Sequence, residues 1–305
     1  MKPNHIVATR HRVVFAAALL LATQWLLGND QDQKDDSVDW LRWGQHDPDS
    51  VAEVQYRPLN SILETVVVDN RGEVQMRYAV MGAAKPLHYL ARYIEYMEGI
   101  PVSKLNRDEQ LAYWLNLHNL GIIHLFAAQP RAKSRVKKLR GTPGNPGEHW
   151  NKKTFTIEGQ ALSLEDIEQN IIFAQWQDPF TIYGLCYGVK GSPVVGVSAF
   201  TGKNVHAQLR QAGEIFVNNH DNVRTNRKGV KLSSLYIWNK NQLFNNDDSI
   251  IINHVQSLAN NKLAGKLSAS SRISGDKFSW RSLDFNPRQA DLGAAGGSMD
   301  YGGGS

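Results

Sequence analysis

The amino-acid sequence predicts an α+β fold, with a single domain in which a buried central helix packs on a small, mainly antiparallel sheet. The central helix is predicted from residues 108–126, "DEQLAYWLNLHNLGIIHLF", which contain no proline and are apolar on almost every side. The other predicted helices and short strands follow one another without the regular strand-helix-strand repeat of a parallel sheet. The chain has 305 residues, of which 42% are hydrophobic, so it can bury a substantial core.

Two segments before the central helix have recognisable patterns. Residues 51–68 have an apolar spacing that fits a helix, while "ETVVVDNRGEVQMRY" could equally form a hairpin that turns at 70–72. Residues 83–99, "AAKPLHYLARYIEYMEG", predict an amphipathic helix that ends at Gly99. The predicted core stripe of this helix consists of Leu87, Leu90, Ile94 and Met97. Asn106 is the predicted N-cap of the central helix.

The predicted elements after the central helix are short. Glycine and proline residues predict a loop over 141–150, and "FTIYGLCYGV" predicts a buried strand. Ser163, with Asp166 three residues later, is the predicted N-cap of a helix. The remaining predictions are a strand that turns at Gly159, a helix over 204–220, a strand within 228–238, a helix over 247–260 and a last strand over 278–285.

The N-terminus has the layout of a secretory signal. Lys2, Arg10 and Arg12 precede an uncharged apolar run over 13–28, which is short for a membrane span. We therefore expect a periplasmic or secreted protein, and the main competing interpretation is an uncleaved N-terminal anchor. The predicted organisation is a signal peptide or anchor over 1–28, a polar linker over 29–50, the domain over 51–286 and a Gly-rich disordered tail over 287–305.

Export changes the interpretation of charge and cysteine content. Removing residues 1–28 removes three Lys or Arg and no acidic residue, so the formal charge falls from +5 to +2. A basic cluster remains over 131–141, "RAKSRVKKLRG", which could meet an anionic surface such as lipid or polysaccharide, although a solvated loop is the simpler interpretation. Cys186 is the only cysteine, so the fold has no internal disulfide and depends on its core.

Three polar residues interrupt the apolar central helix. Asn116 and Asn119 lie about 60° apart on one face of an ideal helix, and His118 points nearly opposite. A buried amide without partners costs on the order of 1–3 kcal/mol. We therefore expect each Asn to bond to a fixed group such as loop backbone, and His118 to be a satisfied core histidine.

These residues also carry a family resemblance. "LNRDEQLAYWLNLHNL" resembles the Phe-Trp-x-Asn-x-Tyr-Asn signature of the domain of unknown function 547 family, found in exported bacterial proteins and in plant proteins with an added coiled coil. Further resemblance lies in "LSLEDIEQNII", "DPFTIYGLCYGVKGSPVV" and "KLSSLYIWNKNQL", in the order of the family. The resemblance implies no reaction by itself.

Departures from the family pattern affect the residues that could carry chemistry. By the spacing, Tyr187 and Ser192 lie where many members have cysteines, Gln169 lies where they have histidine, and His118 replaces the usual tyrosine. The positions that match the family are Asn116, Asn119, Glu168 and Pro193. From this resemblance we expect at least one Asn to bond to Glu168 or to the backbone of 187–193.

Members that have a Cys and a His suggest a papain-like or transglutaminase-like thiol site, and hence such a fold, because a thiolate needs a neighbouring imidazole. This chain lacks those residue types at those positions. Cys186 lies one place from the family cysteine and would face the other side of a strand, so it is predicted to be an inert core thiol.

Two functional hypotheses follow. The favoured one is a catalytically degenerate, exported domain that binds an envelope protein or polymer, with Asn119, Glu168, Gln169 and Tyr187 as the candidate binding residues. The alternative is a hydrolase or acyl-transfer enzyme whose candidate catalytic residues are Ser192, Asn116 and His118. The histidines lack metal-binding spacing, and no glycine-rich nucleotide loop is present, so we predict neither a metal nor a cofactor. Nucleic acid is not an expected partner, and membrane contact is expected only through an uncleaved anchor.

Overall fold

The computed structural model describes residues 39–70, 72–143, 145–267 and 271–285. The predicted signal or anchor over 1–28 and the predicted tail over 287–305 lie outside the described residues. The chain divides into two units, Met1–Asp39 and Trp40–Ser305, and the described fold belongs almost entirely to the second. None of the described helices combines the length and the hydropathy that crossing a membrane requires.

The predicted α+β class is confirmed. The α-helices are Arg57–Val66, Tyr78–Met81, Ala84–Glu98, Arg107–Ala128, Val136–Arg140, Ala174–Trp176, Val205–Asn218, Ser234–Trp238, Lys240–Leu243, Asp248–Leu258 and Asn261–Ala264. The 3-10 helices are Trp40–Gly44, Val102–Lys104, Pro130–Ser134 and Pro179–Gly184. A π-helix spans Asp166–Phe173.

The strands form several small sheets rather than the single sheet predicted. Antiparallel pairs join Val67–Asn70 to Glu73–Met76, Gly141–Thr142 to Asn145–Pro146, and Phe155–Ile157 to Gln160–Leu162. In a three-stranded sheet, Gly229–Ser233 pairs antiparallel with Val223–Asn226 and parallel with Ile273–Lys277. Hairpins predominate because their strands are adjacent in sequence and need only a short turn.

The helix Arg107–Ala128, called the central helix below, lies in the middle of the core. The Asn106 side chain accepts the N–H of Glu109 at 3.0 Å, which confirms the predicted cap. Its residues from Glu109 to Ile123 are all buried, so neighbouring elements contact every face. Trp114 packs edge-on against Trp43, whose ring centroid lies 5.1 Å away. Trp43 belongs to the range predicted as linker, so the described end of that range, from residue 40, is part of the folded chain.

Several local predictions differ from the structure. Residues 57–76 form both of the proposed alternatives, a helix followed by a hairpin. The predicted strand in "FTIYGLCYGV" is wrong, because Pro179–Gly184 is a 3-10 helix and irregular chain follows it. The last strand is Ile273–Lys277 and lies earlier than predicted. The basic cluster over 131–141 is helical over most of its length rather than a loop.

The π-helix replaces part of the α-helix predicted after Ser163. The predicted cap is present, since the N–H of Asp166 donates to Ser163 Oγ at 3.1 Å and the N–H of Ser163 donates to Asp166 Oδ2 at 2.7 Å. Beyond the cap the helix is wider, with one more residue per hydrogen-bonded turn than an α-helix. Glu168 lies in this segment, and its side chain is fully buried.

Candidate functional site

Glu168 is the centre of a buried polar cluster. Its Oε1 accepts hydrogen bonds from Arg140 Nη2 at 2.8 Å, from Tyr187 OH at 3.0 Å and from Gln169 Nε2 at 2.9 Å. Arg140, Glu168 and Tyr187 are at most 1% exposed. The structure thus brings together three of the four predicted binding residues, and it adds an arginine that sequence reasoning had placed in the surface cluster.

Arg140 supplies the positive charge of the cluster. Burial is the largest single influence and acts to lower the pKa of its guanidinium, but Glu168, Tyr187 and Glu165 together act in the opposite direction and the pKa is raised overall. The guanidinium carbon also lies 4.0 Å from the ring centroid of Tyr187 and 5.2 Å from that of Trp238. Removing either Arg140 or Glu168 should therefore destabilise the core, because the remaining charge would be buried without a counter-charge.

His118 lies beside the carboxylate without a full hydrogen bond to it. Its Nε2 is 3.7 Å from Glu168 Oε2, and its Nδ1 is 3.5 Å from Asn119 Oδ1. Burial lowers the pKa of His118 to about 4, although Glu168 acts in the opposite direction. The imidazole is therefore neutral at pH 7. Within the described residues, Glu168 Oε2 and His118 Nε2 have no hydrogen-bond partner.

The two asparagines are buried and bonded to loop backbone, as predicted. Asn116 Nδ2 donates to the carbonyl of Phe200 at 2.8 Å, and its Oδ1 accepts the N–H of Phe200 at 3.0 Å. Asn119 donates to the carbonyl of Gly184 at 2.8 Å and accepts the N–H of Cys186 at 3.0 Å. The expectation of a bond to Glu168 or to the backbone of 187–193 is wrong, because the chain nearest these amides is 184–186 and 200.

Ser192 is committed to its own turn. Its hydroxyl accepts the N–H of Tyr187 at 3.1 Å and lies 2.8 Å from the carbonyl of Val189 and 3.1 Å from that of Pro193, to either of which it can donate. No histidine in the described part of the chain is among its hydrogen-bond partners. Asn116 and His118 bond elsewhere, so the three candidate catalytic residues do not form one constellation.

The turn that carries Tyr187 and Ser192 is tightly packed. Gly188 has a φ of +70°, and a Cβ there would lie 2.2 Å from the ring of Phe126, so the position requires glycine. Cys186 is buried, as predicted for a core thiol. Burial raises the pKa of its thiol above the usual value. A buried thiol with a raised pKa is a poor nucleophile.

An open groove lies away from this cluster, at the N-terminus of the central helix. Its volume is about 570 Å³, and its walls come from three parts of the chain, namely 46–53, 106–109 and 202–203. Glu109 holds these walls together, because its carboxylate accepts the N–H of Val54, directly after the first wall, at 3.0 Å and that of Gly202, in the third wall, at 2.8 Å. The sequence offered no signal for this groove, since its walls are distant along the chain.

Neither the cluster nor the groove has the ligands of a metal centre. In the ranges that the structure describes, no group of three or more His, Cys, Asp or Glu side chains could hold a metal ion. The cluster has one carboxylate, and its oxygen Oε1 is occupied by three donors. The contacts of the cluster hold the ion pair of Arg140 and Glu168 in place inside the core.

Comparisons with known proteins give a family. No curated protein and no solved structure matches the chain. A sequence model of one family matches residues 102–217, a range that includes Asn116, His118, Arg140, Glu168 and Ser192. The resemblance found in the motifs is confirmed, because residues 102–217 match the model of the family described as protein of unknown function, DUF547.

Proposed function

We propose that the chain is an exported, cell-envelope domain that acts by binding a partner, and that it is catalytically degenerate at the positions where family members have Cys and His. One observation supports the proposal that the site is catalytically degenerate. The side chains at positions 169 and 187 both donate to Oε1 of the buried Glu168, so the residues that replace the family Cys and His are used to hold the core together.

The contacts of Ser192 give no support to the alternative of a serine-centred enzyme. Nucleophilic catalysis needs a base within hydrogen-bond reach of the nucleophile and access for substrate. His118 is neutral and could accept a proton, but its neighbours are Glu168 and Asn119. Ser192 is 2% exposed, and within the described residues its hydroxyl bonds all lie in its own turn.

The groove at the N-terminus of the central helix supports a binding role. Its lining carries both signs of charge, with Glu53, Asp108, Arg107 and Lys203 among its residues. Next to it, the exposed side chains of His206 and Asp108 are in contact, with 3.0 Å between Nε2 and Oδ1. A surface of this composition suits a polar partner, such as an envelope protein or polymer, better than an apolar small molecule.

Export is tested with a reporter. Residues 1–45 fused to an enzyme that is active only outside the cytoplasm should give activity, because basic residues followed by the apolar run over 13–28 direct secretion. Deleting residues 13–22 should abolish the activity. A matched fusion with Lys2, Arg10 and Arg12 intact but three Leu in 19–21 changed to Asn isolates the apolar run. Full activity of either altered fusion would contradict export by this segment.

The absence of serine catalysis is tested with a fluorophosphonate probe, which reacts with activated serines. We expect no labelling of the purified protein, measured by intact mass beside a known serine hydrolase. Ser192→Ala should instead lower the free energy of unfolding by about 1–3 kcal/mol, because the buried N–H of Tyr187 loses its acceptor. Labelling that disappears in Ser192→Ala would favour the enzyme and refute the degenerate site.

A further inference from the structure

We propose that residues 130–140, called the basic segment below, bind the anionic headgroups of a phospholipid membrane. The inference rests on the proposed envelope function and names one partner for it. The basic segment consists of the 3-10 helix Pro130–Ser134 and the α-helix Val136–Arg140. Three of its own side chains, those of Ala132, Val136 and Leu139, are buried, so the segment is packed on the core along its whole length.

Two ion pairs fix the basic segment in position. Near its start, Lys133 Nζ lies 2.6 Å from Asp284 Oδ2, a pair whose side chains are 17% and 26% exposed. At its end, Arg140 pairs with the buried Glu168 at 2.8 Å. The segment is therefore ordered before it meets any partner, and binding would not carry the entropic cost of ordering it.

The remaining cations of the segment are directed to solvent. Arg131, Arg135, Lys137 and Lys138 are all exposed, and none of the ion pairs formed within the described residues involves them. One acidic residue, Glu148, lies close to the segment, because the N–H groups of Gly147 and His149 donate to the carbonyls of Arg140 and Leu139. The Glu148 side chain is exposed as well. The basic segment thus carries four exposed cations outside any ion pair of the described residues, in a chain whose formal charge without residues 1–28 is +2.

The composition of the surface favours a lipid layer over nucleic acid. Residues 130–140 include no aromatic side chain on which bases could stack. A layer of anionic headgroups presents many charges and needs no shaped pocket, and each Lys or Arg near such a surface strengthens binding roughly fivefold. A short helical surface with four free cations supplies what that kind of partner requires.

The test measures flotation of the full-length protein with vesicles. We expect binding to phosphatidylcholine vesicles that contain phosphatidylglycerol, weaker binding to phosphatidylcholine alone, and loss of the difference at high salt. Lys2, Arg10 and Arg12 beside the apolar N-terminal run can also favour anionic vesicles, so the contribution of the basic segment is measured as the difference between the unaltered protein and its segment variant. Changing Arg131, Arg135, Lys137 and Lys138 to Gln should reduce the phosphatidylglycerol-dependent binding by about a hundredfold or more.

Two matched variants make the test specific. Arg57, Lys85, Arg224 and Lys262 are exposed and lie on four separate elements, so changing them to Gln removes the same charge and should leave binding within about threefold. Exchanging Arg for Lys and Lys for Arg at the four segment positions keeps the charge and should preserve binding, which would show that binding depends on charge.

Other outcomes would overturn the inference. Equal binding to both vesicle types, or equal losses in the segment variant and in the scattered variant, would show that this surface does not recognise anionic lipid. Binding to a soluble sulfated polysaccharide but not to phosphatidylglycerol vesicles would assign the surface to a polymer instead. These assays use purified protein and vesicles, so their failure is separate from failure of the export reporter or of the fluorophosphonate test.

Discussion

Replacing Glu168 with Gln should lower the free energy of unfolding by about 3–5 kcal/mol, measured by urea denaturation of the purified protein. The amide can still accept hydrogen bonds, but it leaves the guanidinium of Arg140 without a counter-charge in a region from which water is excluded. Tyr187 and Gln169 cannot compensate, because both donate to the same oxygen and neither carries negative charge.

Two further variants identify the cause. Glu168→Gln combined with Arg140→Met removes both charges and should recover much of the lost stability, because no unpaired ion remains buried. Asp248→Asn makes the same chemical change at the partly exposed pair with Lys240 and should cost less than about 1 kcal/mol. A loss in Glu168→Gln as small as that in Asp248→Asn would mean that the ion pair is not what holds this part of the core.

His118 should make the protein less stable as the pH falls from about 6.5 to about 4. Burial lowers the pKa of the folded imidazole to about 4, so in this window the unfolded chain binds a proton that the folded chain does not. The stabilisation is complete above the unfolded pKa of 6.5 and is lost progressively toward the folded pKa, by about 3 kcal/mol in total. Below pH 4 both states are protonated, and His118 adds no further loss.

Urea denaturation at several pH values between 4 and 7 measures this dependence. His118→Gln should remove about 3 kcal/mol from the fall in unfolding free energy between pH 7 and pH 4. His254→Gln provides a second case, because burial lowers the pKa of His254 to about 4 as well, with a contribution from Arg210. The double variant should show the sum of the two effects. An unchanged slope in His118→Gln would mean that the imidazole is already protonated in the folded protein at pH 5.

Elements determined by local signals were predictable from the sequence. The cap at Asn106, the hairpin around Gly159 and the amphipathic helix at 205–218 each depend on residues within one or two turns of each other. The parallel pairing of Gly229–Ser233 with Ile273–Lys277 was missed, because it joins distant segments that carry no pattern specific to the pairing. The π-helix was also missed, since its sequence has the apolar periodicity expected for an ordinary helix.

The sequence predicted most of the residues of the candidate site, but it did not predict how they contact one another. Motif spacing nominated Glu168, Gln169 and Tyr187, and the structure shows all three in contact. It did not nominate Arg140, which looks in the sequence like one more surface cation in a basic run. Only burial distinguishes Arg140 from Lys137 and Lys138, and burial there depends on the neighbouring loop and on Trp238.

The π-helix has a consequence for how this chain aligns with its relatives. Because the wider turn accommodates one residue more than an α-helix, a relative with one residue fewer between Ser163 and Phe173 would run as an α-helix through the same space. Counting residues from the N-cap would then place a different side chain opposite Arg140. An alignment across this turn is therefore anchored by the side chain that contacts the buried carboxylate, which in this chain is Gln169.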